Sequence, residues 1–267
     1  MNRFQRLLRP LLIAFGVLCA VVILGFVERS SEHAPITDLR VQVEGAAGMH
    51  FIDEEAVRRE VLDQGVAVMG APMGEVDMPR IENALRNIPC VASAEAYRTL
   101  DGVLHVKVRQ REPIVRVLNG DGSSFYIDKE GWTMPIDRDY TARVLVVTGA
   151  LNEPGARDGV YAVHANDSVR AVQLSDDIHR LALYIGSDPL WAALIDQVVV
   201  TGEGEFELVP RVGGHRVLIG DGRDLQQRFA KLKLFYEKGI PLADWRRYHR
   251  LDLRYADQIV CTKRTTP

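Results

Sequence analysis

"ASAEAYRTLDGVLHVKVR", Ala92 to Arg109, holds two strand-length runs around a single corner. Leu104, Val106 and Val108 alternate with His105 and Lys107, the period-two pattern of a strand with one buried face. Asp101-Gly102 supplies the tight corner of a hairpin, since glycine takes up a positive φ without steric cost. A hairpin alone cannot stand in water, so its upstream neighbours decide the fold.

Two helices lie upstream, each announced by the same device. Asp53 is placed to cap the first, with Ile52 and Val57 as a hydrophobic staple, Val61 continuing the face and Gly65 closing it. Asp77 caps the second; Val76 and Ile81 staple it, Leu85 and Ile88 extend the face, and Pro89 stops it. Ahead of both, Leu39, Val41 and Val43 alternate with Arg40 and Gln42. The order is β-α-α-β-β. One small sheet covered by two helices buries both apolar helix faces, which predicts an α+β domain over 36–111.

From Glu112-Pro113 onward strands and turns dominate. Strands are expected at Ile114–Leu118, Ser124–Asp128, Trp132–Met134, Val144–Val147, Ile195–Val200, Glu205–Val209 and His215–Ile219. A helix over Ser168–Ile185 would be capped by Asp167, and a last helix capped by Asp224 would bury Leu225, Phe229, Leu232 and Tyr236 before ending at Gly239. The expectation for 112–267 is a mostly antiparallel β domain with two helices.

The N-terminal end has a different texture. Arg3, Arg6 and Arg9 precede Leu11–Val27, seventeen apolar residues without a charge, which as a helix would cover about 25 Å. That run exceeds a signal-peptide core, no small-x-small pair follows it, and Cys19 lacks the small residues that a lipoprotein cleavage site needs before its cysteine. The reading is a cytoplasmic tail (1–10), a retained transmembrane helix (11–27) and a polar linker (28–35), with the bulk of the chain extracytoplasmic. Of three cysteines, Cys19 would sit in lipid, and Cys90 and Cys261 read as unpaired, half-buried thiols.

The composition is that of an ordinary folded chain, with 267 residues, 47% hydrophobic, 26% charged and a net charge of -3, so no basic surplus points to nucleic acid. Chemistry leaves few traces. Neither H-E-x-x-H nor C-x-x-C occurs, no Gly-Lys pair exists to build a P-loop, and G-x-S-x-G and S-x-x-K are missing. Asp53-Glu54-Glu55 fits the first turn of a helix, Asp176-Asp177 a solvated helix face, and the seven histidines are scattered without a partner at ligand spacing. No catalytic, cofactor or metal site is predicted.

Several stretches, taken together and in this order, resemble the FtsQ/DivIB family of bacterial cell-division proteins. They are the basic tail and anchor, the β-α-α-β-β block, Ile88-Pro89-Cys90-Val91, "RQREPIVRV" (Arg109–Val117), "FYIDKEGWTMP" (Phe125–Pro135) and "DLRY" (Asp252–Tyr255). The resemblance implies a POTRA domain followed by a β domain on a single-pass inner-membrane protein of the divisome, acting at the division septum. It implies no enzyme activity and no cofactor. It implies FtsB- and FtsL-like partners, FtsB adding a strand beside the last strand of the β domain. Here that places partner contacts at Gln258, Ile259, Val260, Cys261, Thr262 and Lys263, with Arg254 and Tyr255 on the preceding strand. The aromatic that some relatives show after this strand corresponds to Lys263, so that contact is not carried over.

The residues themselves leave the last strand open to two readings. Leu251, Leu253 and Tyr255 alternate with Asp252 and Arg254, giving a strand with one wet face, and Ile259–Cys261 is an apolar stretch with charge only at its end. It is either an edge that accepts another chain or an interior strand covered by its own. On the edge reading, proline at Ile259 or Val260 removes a ladder donor and abolishes partner capture. The rival classes are an extracytoplasmic cell-wall-acting enzyme, marked by a deep pocket of perturbed ionisable groups, and an export chaperone, which would need a long β-barrel.

Overall fold

A computed structural model describes residues 15–19, 34–46, 48–63, 68–155, 159–164, 174–239 and 245–264. The predicted span 11–27 lies outside these residues except for 15–19, which are helical. Among the described residues no helix is long and apolar enough to cross a membrane. The chain divides into two units, one running to Gly45 and resuming at Ile52–Gln110, the other taking Ala46–Phe51 and everything from Arg111.

The first unit is a three-stranded sheet under two helices. Strand β1 (Asp38–Glu44) pairs parallel with β3 (Val103–Gln110), and β3 pairs antiparallel with β2 (Val91–Arg98), giving the order β1-β3-β2. Helices α1 (Glu54–Leu62) and α2 (Met78–Arg86) begin where the capping signals stand: Asp53 accepts from the Ala56 amide at 2.7 Å, and Asp77 from the Arg80 amide at 3.0 Å. Their apolar faces, Val57 and Val61 on α1 and Ile81 and Leu85 on α2, meet Leu104, Val106 and Val108 in one core. Each buried aliphatic side chain contributes about 1.5–3 kcal/mol. Gly65 lies outside the described residues.

The second unit is a nine-stranded sheet. In chain order its strands are β4 (Pro113–Leu118), β5 (Ser124–Asp128), β6 (Thr133–Pro135), β7 (Leu145–Gly149), β8 (Ile195–Val200), β9 (Phe206–Pro210), β10 (Arg216–Gly220), β11 (Tyr248–Asp252) and β12 (Val260–Lys263). In space they run β12-β11-β10-β9-β8-β7-β4-β5-β6. Helices α3 (Ser175–Ser187), α4 (Pro189–Leu194) and α5 (Leu225–Leu234) complete the unit. Their side chains Ile178, Leu181, Trp191, Phe229 and Leu232 share a core with Val117, Val147, Val198, Leu208, Val217 and Leu251 from the sheet.

The sheet over 112–267 is mostly antiparallel, as expected, and two other expectations are corrected. The sheet is mixed, with five antiparallel pairings and three parallel ones, β4–β7, β7–β8 and β10–β11. The connections permit it: α3 and α4 intervene between β7 and β8, α5 between β10 and β11, and strands β5 and β6 between β4 and β7, each a crossover that brings the chain back parallel. Among the described residues this unit has three α-helices rather than two. Helix α4 is too short to show a period, although Asp188 caps it by accepting from the Leu190 amide at 2.8 Å and Pro189 opens it.

One cap fails as read, and another lies outside the described residues. Asp224 stands before α5 in the left-handed conformation (φ 48) and its side chain makes no capping bond. The described start of α3 is Ser175; Asp167, Val169 and Val172 lie outside the described residues. Its first amides are served from a distance, the Leu174 and Ser175 N–H groups each donating to the Glu153 carboxylate at 3.0 Å. Asn119 holds Glu153 in place through paired bonds to its backbone, 2.7 and 2.9 Å long.

Candidate functional site

Among the described residues, strand β12 pairs on one side only. It runs antiparallel to β11, with Arg250 opposite Thr262, Leu251 opposite Cys261 and Asp252 opposite Val260, and it ends the sheet order. Ile259 and Cys261 pack their side chains against the core, and burial pushes the Cys261 thiol pKa up. Val260, at 42% exposure, stands on the other face, and Thr262 and Lys263 are exposed. Cys90 and Cys261 are free and half-buried.

The direction of the backbone groups follows from one bond. The Leu253 amide donates to the Leu218 carbonyl at 2.9 Å, so the backbone groups of Leu251 and Leu253 face β10. Those of Arg250 and Asp252 therefore face β12, where Thr262 and Val260 answer them. By alternation the N–H and C=O of Cys261 point away from β11, and among the described residues nothing is bonded to them. This moves the expected proline test: the Val260 amide is spent inside the sheet, and Cys261 carries the outward donor.

The flanks of the strand are fixed. Arg264 donates its backbone amide to the Arg247 carbonyl (2.8 Å) and turns its guanidinium back onto the Tyr248 carbonyl (3.2 Å) and the Gly214 carbonyl, so its charge does not guard the edge. On the other side, β11 ends at Asp252, which corrects the placement of Arg254 and Tyr255: both lie in the turn between the strands. Leu253 is buried as expected, but Tyr255 is 47% exposed, because the chain leaves the pleat before reaching it. Lys231 of α5 pins this turn by donating to the carbonyls of Leu253 (2.9 Å) and Tyr255. Arg254 is paired with Asp252 (2.7 Å) and Glu205 (3.0 Å). Burial opposes ionisation of Asp252, yet the Arg254 hydrogen bonds hold its carboxyl below the usual range. Gln258 and Ile259 precede the strand proper.

The other sheet ends are each partly occupied by their own chain. In the first unit, the Ala96 amide on β2 donates to Glu82 Oε1 (2.9 Å), and Arg86 donates to the Ala94 carbonyl (2.9 Å). Arg58 from α1 donates to the Leu39 carbonyl on β1 at 2.9 Å. In the second unit, β6 is covered by its own chain, as described below.

A groove of about 890 Å³ opens beside β4 and β7. Ile114, Leu145 and Ile185 form part of its wall, and two of its charged pairs are Lys129–Glu112 (3.9 Å) and Arg211–Asp196 (3.1 Å). Its hydroxyls are Thr141 and Ser187, and its lining holds no histidine or cysteine. Among the described residues no group of three or more metal-ligating side chains forms.

One cluster escaped the sequence. His164 and His179, fifteen positions apart, bring their rings together, His164 Nε2 lying 3.0 Å from His179 Nδ1, and His164 Nδ1 meets Asp176. Asp176 is thus a partner inside a chain of contacts and more than a solvated helix acid. His215, the lone strand histidine, is buried against the Tyr236 hydroxyl at 2.9 Å, and burial raises the Tyr236 pKa. His105 stacks flat on Tyr97.

A β-α-α-β-β unit of this topology is that of a POTRA-like module, and a mixed sheet with helices follows it in the chain. Residues 36–109 match the POTRA-like domain, and residues 112–262 match the domain described as FtsQ/DivIB, C-terminal related. The chain belongs to the FtsQ/DivIB family of cell-division proteins. It is 28% identical over 202 residues to the cell division protein FtsQ of Rhodothermus marinus, an overlap of 74% of this chain and 70% of that protein.

Proposed function

We propose that the protein is a non-enzymatic scaffold of the bacterial divisome that recruits FtsB- and FtsL-like partners by strand addition along β12. A single-pass anchor at residues 11–27, with its N-terminus in the cytoplasm, keeps the two units on the outer side of the inner membrane at the septum. The observation that carries the reading is the outward pair of backbone groups on Cys261, at the one end of the nine-stranded order that the described chain leaves uncovered. Main-chain bonds there give affinity. Val260 and Thr262 offer one face of side chains and Ile259 and Cys261 the other, so a partner strand extends a core already formed.

Pull-down of an FtsB-like partner by the full chain tests it. Cys261→Pro removes only the outward donor, a position where an edge strand tolerates proline, and lowers capture at least about tenfold, whereas Cys261→Ala binds like the parent. Val260→Pro also loses capture, but through loss of the β11–β12 ladder, visible as new amide exchange at Arg250 and Asp252. Full capture by Cys261→Pro would sink the strand-addition reading.

A further inference from the structure

The far end of the nine-stranded sheet, strand β6, is closed by a short arm of the same chain. The Thr133 amide donates to the Tyr161 carbonyl (2.8 Å), the Tyr161 amide donates to Thr133 Oγ1 (3.1 Å), and the Val163 amide donates to the Gly131 carbonyl (2.8 Å). Trp132 and Ala162 form a bridge between them. The arm Tyr161–His164 thus occupies the place where an additional strand would lie. Val163 is buried in the core, and the arm ends in the His164 ring.

That ring is held by a linear chain of contacts from the β5–β6 turn to helix α3. His179 Nε2 lies 3.1 Å from the Lys129 carbonyl, His179 Nδ1 lies 3.0 Å from His164 Nε2, and His164 Nδ1 meets the Asp176 carboxylate. Arg180 holds the second oxygen of Asp176 at 2.7 Å. Gly131 makes room for the rings: it has φ +83, and a Cβ there would fall 2.7 Å from His164 Nε2. The remaining charge facing the pair is Asp128 on β5, fully buried and neutralised by Arg111 at 2.9 Å; the Lys129 ammonium turns toward Glu112.

The partners dictate where protons sit. A carbonyl only accepts, so His179 Nε2 carries hydrogen, and a neutral His179 leaves Nδ1 as an acceptor. His164 Nε2 must then donate to it. His164 Nδ1 faces a carboxylate, which also only accepts. The contacts are therefore complete with a neutral His179 between the Lys129 carbonyl and His164. A proton added at His179 Nδ1 would point at the His164 Nε2 hydrogen and break the chain of contacts.

We propose that the arm Tyr161–His164 is an acid-released latch over the β6 edge, closed while His179 is neutral and accepts from His164, and opened when His179 Nδ1 takes a proton. Burial, with the nearby His164 charge adding to it, pushes the His179 pKa below the ordinary histidine value of 6.5, against the opposing pull of the Lys129 carbonyl. The sign follows: the released form binds the extra proton more readily, so closure is fully favoured above about pH 6.5 and loses ground as pH falls below it. Opening would free the backbone groups of Gly131 and Thr133, giving the sheet a second, pH-dependent edge that is independent of β12.

Hydrogen exchange on the full chain, corrected for intrinsic rates, tests this between about pH 7.5 and about pH 5.5. Protection at Thr133 and Val163 should fall roughly tenfold or more on acidification while that of β8 amides holds. In His179→Gln the amide side chain can donate to the Lys129 carbonyl and accept from His164 without titrating, so protection should become independent of pH; in His164→Ala it should be low at both values. Ring nitrogen spectra of the parent protein provide the second measurement: His179 should be neutral with hydrogen on Nε2 at the higher pH. Acid loss in His179→Gln equal to the parent's, or a His179 ring already charged at the higher pH, would overturn the latch.

Discussion

The two units solve the same structural problems by different means. In the first, helix ends and strand edges are settled by neighbours in sequence: Asp53 and Asp77 cap helices that start at the next residue, and Glu82 and Arg86, one turn apart on α2, plug the β2 edge that begins five residues beyond that helix. In the second, the corresponding groups come from afar. Glu153 reaches across 21 and 22 positions to the start of α3, and the Tyr161–His164 arm covers β6 from 28 positions away. Strand β12 receives no cover from the described chain at all. A locally satisfied unit folds as a closed module, while a unit satisfied over long distances has parts that can be exchanged for those of another molecule.

The comparison can be broken most forcefully at Glu153. It is buried, and replacing it by alanine strands the Leu174 and Ser175 amides and the Ser175 hydroxyl. Glu153→Ala should destabilise the second unit by about 3 kcal/mol, read as an earlier urea transition of that unit with the first unchanged. Equal shifts in both units would mean that the first is not independently satisfied.

A smaller effect is expected at the plugged edge. Glu82→Ala removes the acceptor of the Ala96 amide and the i,i+4 partner of Arg86, for a cost of about 1–2 kcal/mol. It also turns β2 into a second open edge, so sedimentation should reveal concentration-dependent self-association that is absent in the parent. A monomeric variant would show that the plug serves stability alone.

The smallest change sharpens the contrast between near and distant caps. Asp77→Ala should cost about 1 kcal/mol and be confined to the first unit, measured by exchange of the α2 amides. A loss as large as that from Glu153→Ala would erase the distinction between the two kinds of cap.

The legibility of the sequence followed the same divide. In the first unit every signal was local: Asp53 and Asp77 before their apolar periods, Asp101-Gly102 at a corner with Gly102 at φ 91, and Leu104, Val106 and Val108 in strict alternation. In the second, alternation located the strands but carried no information on pairing partners, so the parallel neighbours β4–β7 and β10–β11 passed unseen. Leu251 and Leu253 were rightly read as buried, while Tyr255 was extrapolated along a pleat that the chain had left. Asp224 looked like a cap by position, and its left-handed backbone turns the side chain away. Glu153, His164 and His179 gave no signal, because nothing in their neighbours marks them as partners.

The sequence by itself determined where helices and strands begin, which faces are apolar, and that the chain ends in an apolar strand. These follow from side-chain size, polarity and spacing over a few residues, where the backbone geometry is already known. Only the tertiary structure decided that β12 lies at a margin, that the outward amide belongs to Cys261 rather than Val260, and that two histidines meet over the opposite margin. Each of those depends on which distant segments become neighbours, a choice made by the closing of the whole core and recorded in no single stretch of the chain.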